Sequence, residues 1–473
     1  MRVKSGVFCG LLLAAAIVLS IGARPASAAV SSYAGDDSLR DSIVKAVTTH
    51  PEVQAKWHAL RAAEHEVEAA KGGYRPKLDV TAGWGRENLD GKGYSGSELF
   101  NYTRTGVAAF LTQMIYDGNL TNSSVKRYGH AMRARYFDLI ATMEQSALAA
   151  IHVRADLARY NHLTRLAREN LKRHEELMAK VEERTSGGLD SAVNLETAKG
   201  RLALARVNLV TEESNLHDTI TQYIRIVGED PRVELFDADV HIDLHVPSNS
   251  DIGVDEALRY NPLLISYAQN SQTMRYIVEE QRSNFRPRVE LRAGTAQDTN
   301  ASGTDGWREK SYVELAMTYN LYNGGRDEAN LKRASEEHKQ AFETFRKLER
   351  DITQSVLVSY NDIAAYEAQL PSLLQHSESA NATRQAYIRQ FEAGRRSLLD
   401  LLDSENEYYQ AELAYVNADY NQRTAKADYL ASTGKLLEHY GIVREDVPTP
   451  DRVKYTFDEV TEDVAVKGLK GKK

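Results

Sequence analysis

The sequence predicts a mostly helical protein that carries a small membrane β-component and is built from two copies of one unit. Three observations predict it. Landmarks recur in the same order at a nearly constant offset, four runs alternate with a period of two, and the long segments between them step in threes and fours.

The chain opens on a leader. Arg2 and Lys4 give a positive start, Leu11 to Ala23 is a short apolar run, and Ala26-Ser27-Ala28 supplies small residues for cleavage before Ala29. Residues 1–28 are therefore expected to be a signal peptide. Removing them takes away Arg2, Lys4 and Arg24 and moves the formal charge from -8 to about -11. Cys9, the only cysteine, leaves with the leader, so disulfides, thiolate nucleophiles and thiolate metal sites are not expected. A net acidic chain is a poor nucleic-acid binder. After the leader no apolar run approaches the roughly 18 residues of a membrane helix, so membrane residence requires β-structure.

The repeat is carried by five landmarks. His50-Pro51 returns as Asn261-Pro262 and Arg75-Pro76-Lys77 as Arg286-Pro287-Arg288, both at an offset of 211. Tyr116-Asp117-Gly118 returns as Tyr322-Asn323-Gly324 at 206, and Gly187 with Leu195-Glu196 as Gly394 with Leu402-Asp403 at 207. Tyr223 and Gly228 return as Tyr429 and Gly434 at 206. The repeats are expected over 29–228 and 251–440, with a linker at 229–250 and a tail at 441–473.

Each copy begins with a helical stretch, at 37–72 and 251–284. Pro76 and Pro287 then end the helix and open a strand, because proline lacks the amide hydrogen and biases its predecessor to extended backbone. Hairpins are expected at 77–116 and 288–322. In the last strand Val313, Leu315, Met317, Tyr319 and Leu321 share one face; Glu314, Ala316, Thr318 and Asn320 share the other. The runs are about 10 to 12 residues, the length of a tilted membrane strand. Trp84, Tyr102, Tyr116, Trp307, Tyr312, Tyr319 and Tyr322 fit an interfacial girdle, though a soluble sheet with surface tyrosines has the same pattern. Polar loops are expected over 88–101 and 298–306.

Tyr-x-Gly starts a very long helix in each copy, over 119–185 and 326–392. In the second, Leu331, Ala334, His338, Ala341, Phe345, Leu348 and Ile352 trace a coiled-coil seam. Some 67 residues make a helix of about 100 Å. The return helices, 190–227 and 398–436, are far shorter. Laid end to end with the opening helical stretch, they match the long helix.

Two hairpins give four strands, too few to close a barrel, and open edges are not tolerated in lipid. Several chains must pool their strands: two give eight and three give twelve. Eight leave an interior filled by side chains, so a pore favours the larger ring.

The two-copy layout, the Arg-Pro-basic strand entry, Tyr-x-Gly and the turn Phe391-Glu392-Ala393-Gly394-Arg395-Arg396-Ser397-Leu398-Leu399-Asp400-Leu401-Leu402-Asp403 together resemble the TolC family over nearly the whole mature chain. The resemblance implies a homotrimer with a 12-stranded β-barrel in outer membrane lipid, continuous with a long periplasmic α-helical barrel. It implies a periplasmic adaptor and an inner-membrane ABC transporter or proton-driven pump as partners. Gly187-Gly188-Leu189-Asp190-Ser191 and Arg225-Ile226-Val227-Gly228 are similar to the type I secretion branch, which implies export of unfolded protein; multidrug or metal efflux is the alternative.

Asp400 and Asp403 lie three apart and share a helix face. They read either as an N-terminal cap built with Ser397 or, by the family match, as a carboxylate ring at the periplasmic entrance. Arg396 and Phe391 match positions that help hold that entrance closed. The family's partner aspartate is replaced by Val193, with Asp190 as its possible stand-in. Gly187, Gly188 and Gly394, with Asp190, sit at the periplasmic tip, as turn residues or as an adaptor-docking surface. P-loop, HExxH and GxSxG patterns are absent, so neither an enzyme nor a cofactor is expected. A periplasmic coiled coil without a pore explains the helices but not the membrane-length strands.

Overall fold

The computed structural model describes residues 37–89, 100–188, 191–237, 240–242, 244, 247–301 and 306–442. The leader, the centres of both hairpin loops, Leu189, Asp190 and the tail beyond Ile442 lie outside this set.

The first copy runs through α1 (Asp37–Thr49), α2 (Pro51–Lys71), β1 (Lys77–Leu89), β2 (Phe100–Tyr116), α3 (Leu120–Ser186) and α4 (Ala192–Val227). The second runs through α5 (Ser250–Tyr260), α6 (Pro262–Ser283), β3 (Arg288–Thr299), β4 (Trp307–Thr318), α7 (Arg326–Glu392) and α8 (Leu398–Thr433), and a short α9 (Leu436–His439) follows. The long helices are 67 residues each and the return helices 36 each, so the two copies match in length as well as order.

Each opening helical stretch is two helices, not the single one expected. Pro51 and Pro262 break them, and the residues before them take extended backbone, ψ 129° at His50 and 117° at Asn261. Both then serve as N-caps. His50 Nδ1 accepts from the Glu52 amide at 3.3 Å, and Asn261 Oδ1 accepts from the Leu263 and Leu264 amides at 3.0 and 3.2 Å. The same landmark that reveals the repeat is therefore a built break. Within α7, by contrast, the helix continues through Pro371.

The strands form one antiparallel sheet in the order β1-β2-β3-β4. Register alternates the faces. Leu78, Val80, Val107, Leu111, Val313, Leu315 and Met317 share one face and stand exposed. Asp79, Thr81, Arg104, Glu290, Arg292, Asp298 and Glu314 occupy the other. Trp84, Thr105, Thr299 and Trp307 lie in one cross-strand row on the apolar face, at the loop end.

Three expectations are corrected here. The strands reach further into the loops than expected: Asn88 pairs with Asn101 and Thr299 with Trp307, because ladder pairing continues past the polar composition. The second hairpin ends at Thr318, so Tyr319, Leu321 and Tyr322 follow the strand rather than belong to it. Thr318 pairs with Arg288, the first residue of β3, and Pro287 directly before it has no amide hydrogen to carry the ladder further within the chain. Tyr312 does not join the girdle; it turns to the polar face and covers Gly294 from one side while Phe110 covers it from the other. The Tyr102 side chain lies outside the described set.

Tyr-x-Gly works through backbone handedness. Gly118 and Asn119 have φ of 71° and 78°, as Gly324 and Gly325 have 60° and 78°. A Cβ at Gly118 would come within 2.8 Å of the Ser283 carbonyl, so this glycine also lets α3 start against the end of α6.

The helices lie side by side. α1, α2 and α4 flank α3 on one side, α6 and α8 lie between α3 and α7, and α5 packs on α7. The thickest core sits at mid-height, where Leu39, Ile43 and Val47 of α1 meet Leu139, Ile151 and Leu157 of α3, Tyr223 of α4 and Leu436 of α9. Arg154 is fully buried there and donates to the Leu235 carbonyl at 2.8 Å, tying the linker onto α3.

Candidate functional site

The site follows from two chain reversals that lie together at one end of the helices. In the second, α7 ends in a Schellman motif. Gly394, φ 68°, donates to the Phe391 carbonyl at 2.9 Å, and Arg395 donates to the Gln390 carbonyl at 2.8 Å. A left-handed residue is required, and glycine adopts it without a Cβ penalty. In the first reversal Gly187 donates to the Glu183 carbonyl at 3.1 Å, and Gly188 has φ of 71°. Among the described residues nothing is near a Cβ added at Gly188 or Gly394, and their positive φ accounts for glycine at both.

α8 then starts on a complete capping box. The Asp400 amide donates to Ser397 Oγ at 3.1 Å, and the Ser397 amide donates to Asp400 Oδ2 at 3.4 Å. Ser397 and the nearby Arg396 hold the Asp400 carboxyl below the ordinary range. The capping reading is thus built into the structure, and Asp400 stays ionised. Asp403 is one turn further along α8, and Arg201 of α4 donates to its Oδ1 at 2.9 Å.

Arg396 is occupied within its own turn. Its Nε donates to Gln390 at 3.0 Å, its guanidinium lies 4.3 Å from the Tyr387 ring centre, and its Nη1 is 3.7 Å from Asp400. Phe391 is buried with Leu177, Val181, Ala198, Leu398, Leu401 and Leu402, so it joins both hairpins in one apolar cluster. Arg184 of α3 lies 5.3 Å from its ring, and Lys180 reaches Glu392 at 3.0 Å across the same seam. Val193 is largely exposed, and Asp190 lies outside the described residues. Asp400, Asp403, Arg396 and Phe391 are therefore brought together with Gly394. Pro76 and Pro287 are at the opposite end, each directly before the first residue of a strand.

One group here escaped sequence reasoning. Glu405 of α8 is 3% exposed and lies between Arg173 of α3 and Arg384 of α7. Its signal was present: Leu398, Leu401, Leu402, Glu405 and Tyr409 step in threes and fours, which places a carboxylate on an apolar stripe. Among the described residues no cluster of His, Cys, Asp and Glu could hold a metal ion, and no helix is long and apolar enough to cross a membrane.

The sequence profile of the outer membrane efflux protein family matches residues 43–229 and 253–435, one match to each copy of the repeat. The chain is 23% identical over 465 residues to the outer membrane efflux protein BepC of Brucella suis biovar 1 (strain 1330), covering 94% of this chain and 98% of that one. It is 22% identical over 426 residues to the outer membrane protein TolC of Escherichia coli (strain K12), covering 86% and 84%. Its fold matches the solved outer-membrane channel OprN with a TM-score of 0.75 at 16% identity, over 84% of this chain and 90% of that one.

Proposed function

The chain belongs to the outer membrane efflux protein family, whose members are channels and not enzymes, and on that premise we propose that it is a homotrimeric conduit across the outer membrane. Periplasmic adaptors and inner-membrane transporters work with channels of this TolC type, and we assign this chain the same place in a tripartite assembly.

The sheet is the observation that supports this most. One face is apolar and exposed, the other charged, and both outer strands have open edges. Trp307 and Met317 are ten residues apart on one face, about 33 Å along a strand. At a barrel tilt of about 40° that is about 25 Å of height, the thickness of the apolar band of outer-membrane barrels. Three sheets joined β4 to β1 satisfy every edge and give twelve strands.

In that assembly the tip residues meet around the axis. Asp400 and Asp403 from three subunits form a ring of six carboxylates that favours cations, and Arg396 and Phe391 help hold it narrow. Gly187, Gly188, Asp190 and Gly394 present the reversals to the adaptor. Reconstituted in a planar bilayer, the protein should conduct with cation preference. Asp400→Ala combined with Asp403→Ala should abolish the preference; an unchanged reversal potential sinks the ring.

For cargo, we assign the type I secretion branch from the Gly187–Ser191 and Arg225–Gly228 segments. Multidrug or metal efflux is the second reading, supported by the similarity to the outer membrane efflux protein BepC. Deleting the gene and assaying both a secreted protein and drug sensitivity separates them: retained drug and metal resistance with lost secretion supports export.

A further inference from the structure

The charged face of the sheet is not charged throughout. Register places Asp79, Phe110, Gly294 and Tyr312 in one cross-strand row on that face, midway between Trp307 and Met317 of the apolar face. A Cβ at Gly294 would come within 2.8 Å of the Tyr312 ring and 2.9 Å of the Phe110 ring, so glycine here lets both rings lie down on the wall. Lys310 Nζ stands 5.6 Å from the Tyr312 ring centre and engages that ring. Phe110 instead borders a concavity of about 560 Å³. Its floor is Gly83, Gly106, Ala108 and Ala296, and its far rim is Arg104 and Asp298. Arg104 is 3.7 Å from Asp298 and 3.8 Å from Glu87, which holds it at that rim.

Packing accounts for some of the glycines and not for others. Gly106 makes room for the Asp298 carboxylate, as Gly294 does for the two rings. Gly83 has no such reason, and neither does Gly85 beside it. Neither has a positive φ, and among the described residues nothing lies within 4 Å of a Cβ added at either. Glycine inside a strand weakens it and often marks a close approach by another group. Bare backbone next to an aromatic ring is therefore left open on the face that would line the barrel.

We propose that this concavity is a contact site for planar aromatic groups of the cargo in transit, with Phe110 as the contact ring and Tyr312 as its buttress. The proposal rests on the conduit reading above and adds a cargo chemistry to it. A flat ring can approach the wall over Gly83 and Gly106, where Cβ atoms would hold it off, and meet Phe110 offset or edge to face. Twelve strands about 4.8 Å apart, tilted by about 40°, make a barrel roughly 24 Å across between backbones. Cargo thus passes within reach of the wall, and three subunits supply three copies of the site. A tryptophan of an unfolded chain and the ring of a small molecule share this chemistry.

The test is saturation-transfer NMR of N-acetyltryptophanamide, a neutral aromatic probe, with the full-length trimer in detergent; N-acetylleucinamide is the aliphatic control. The wild type should bind the aromatic probe and not the aliphatic one. Phe110→Leu should weaken binding about 2- to 12-fold, the worth of one aromatic pair. Gly83→Val fills the floor without meeting a neighbour and should abolish binding while the trimer still assembles, which decides the matter if Phe110→Leu fails to fold. Trp307→Leu, on the apolar face, should change nothing. Displacement of the probe by a disordered peptide holding one tryptophan points to unfolded protein as the source of the ring, and displacement by acridine alone points to small molecules. Variants at Phe110 and Gly83 that bind like wild type overturn the site. So does a Gly83→Val chain that no longer assembles, because that glycine then serves packing between subunits. A wild type that conducts in planar bilayers but binds the two probes alike sinks the site alone. A wild type that never conducts sinks the conduit reading and takes the cargo role with it.

Discussion

Single residues at mid-height show how burial sets protonation. Glu144 of α3 is buried and accepts from the Leu437 amide at 3.3 Å, which anchors the start of α9. Burial pushes its carboxyl up to about 7, against backbone donors that pull it down. The folded state thus holds this proton more tightly than the unfolded one does. Its contribution favours folding in acid and is lost as pH rises from about 4.5 through 7. Glu144→Gln should remove on the order of 3 kcal/mol of that pH dependence. Thermal melts of both proteins at pH 5 and pH 8 would check this; parallel shifts in the two would refute it. Much of this scale was illegible beforehand. Glu144 and Arg154 look in the sequence like solvated helix charges, because only the neighbours brought by other helices bury them.

Elements carry the division between lipid and lumen. Leu315 and Glu314 are adjacent in β4, yet the pleat sends them to opposite faces. Val313→Arg puts a charge on the same apolar face near the centre of the Trp307–Met317 band and should cost about 2–4 kcal/mol. Thr81→Arg, on the charged face of β1, should cost little. Outer-membrane fractionation and heat-modifiability on gels compare the two; equal loss for both would end the assignment of faces. Periodicity made these faces readable in advance, together with the long helices and their 67-residue length. It did not give strand ends. Tyr319 and Leu321 continue the alternation without a partner strand, and Tyr312 shows that an aromatic in a strand can serve glycine packing instead of an interface.

At the scale of the whole molecule, the open edges of β1 and β4 and the long flanks of α4 and α7 leave one chain incomplete. Val193, Leu204, Val207 and Val210 of α4 stand exposed, as do Leu357 and Val358 of α7. A monomer exposing these faces and edges is not expected to persist in lipid. Native mass spectrometry or detergent cross-linking should show three copies and no stable monomer; a stable monomer in a bilayer would refute the conduit.

What the sequence determined by itself was the plan: two copies, four strands, two long helices and the glycine reversals between them. Those features are local, written in periodicity, proline and glycine, and each needs only its own neighbours along the chain. Only the tertiary structure decided which charges are buried, where β4 stops, and that Asp403 is bound by Arg201. These depend on groups brought together from distant parts of the chain, and the free energy of a charge is set by everything around it rather than by its place in a pattern.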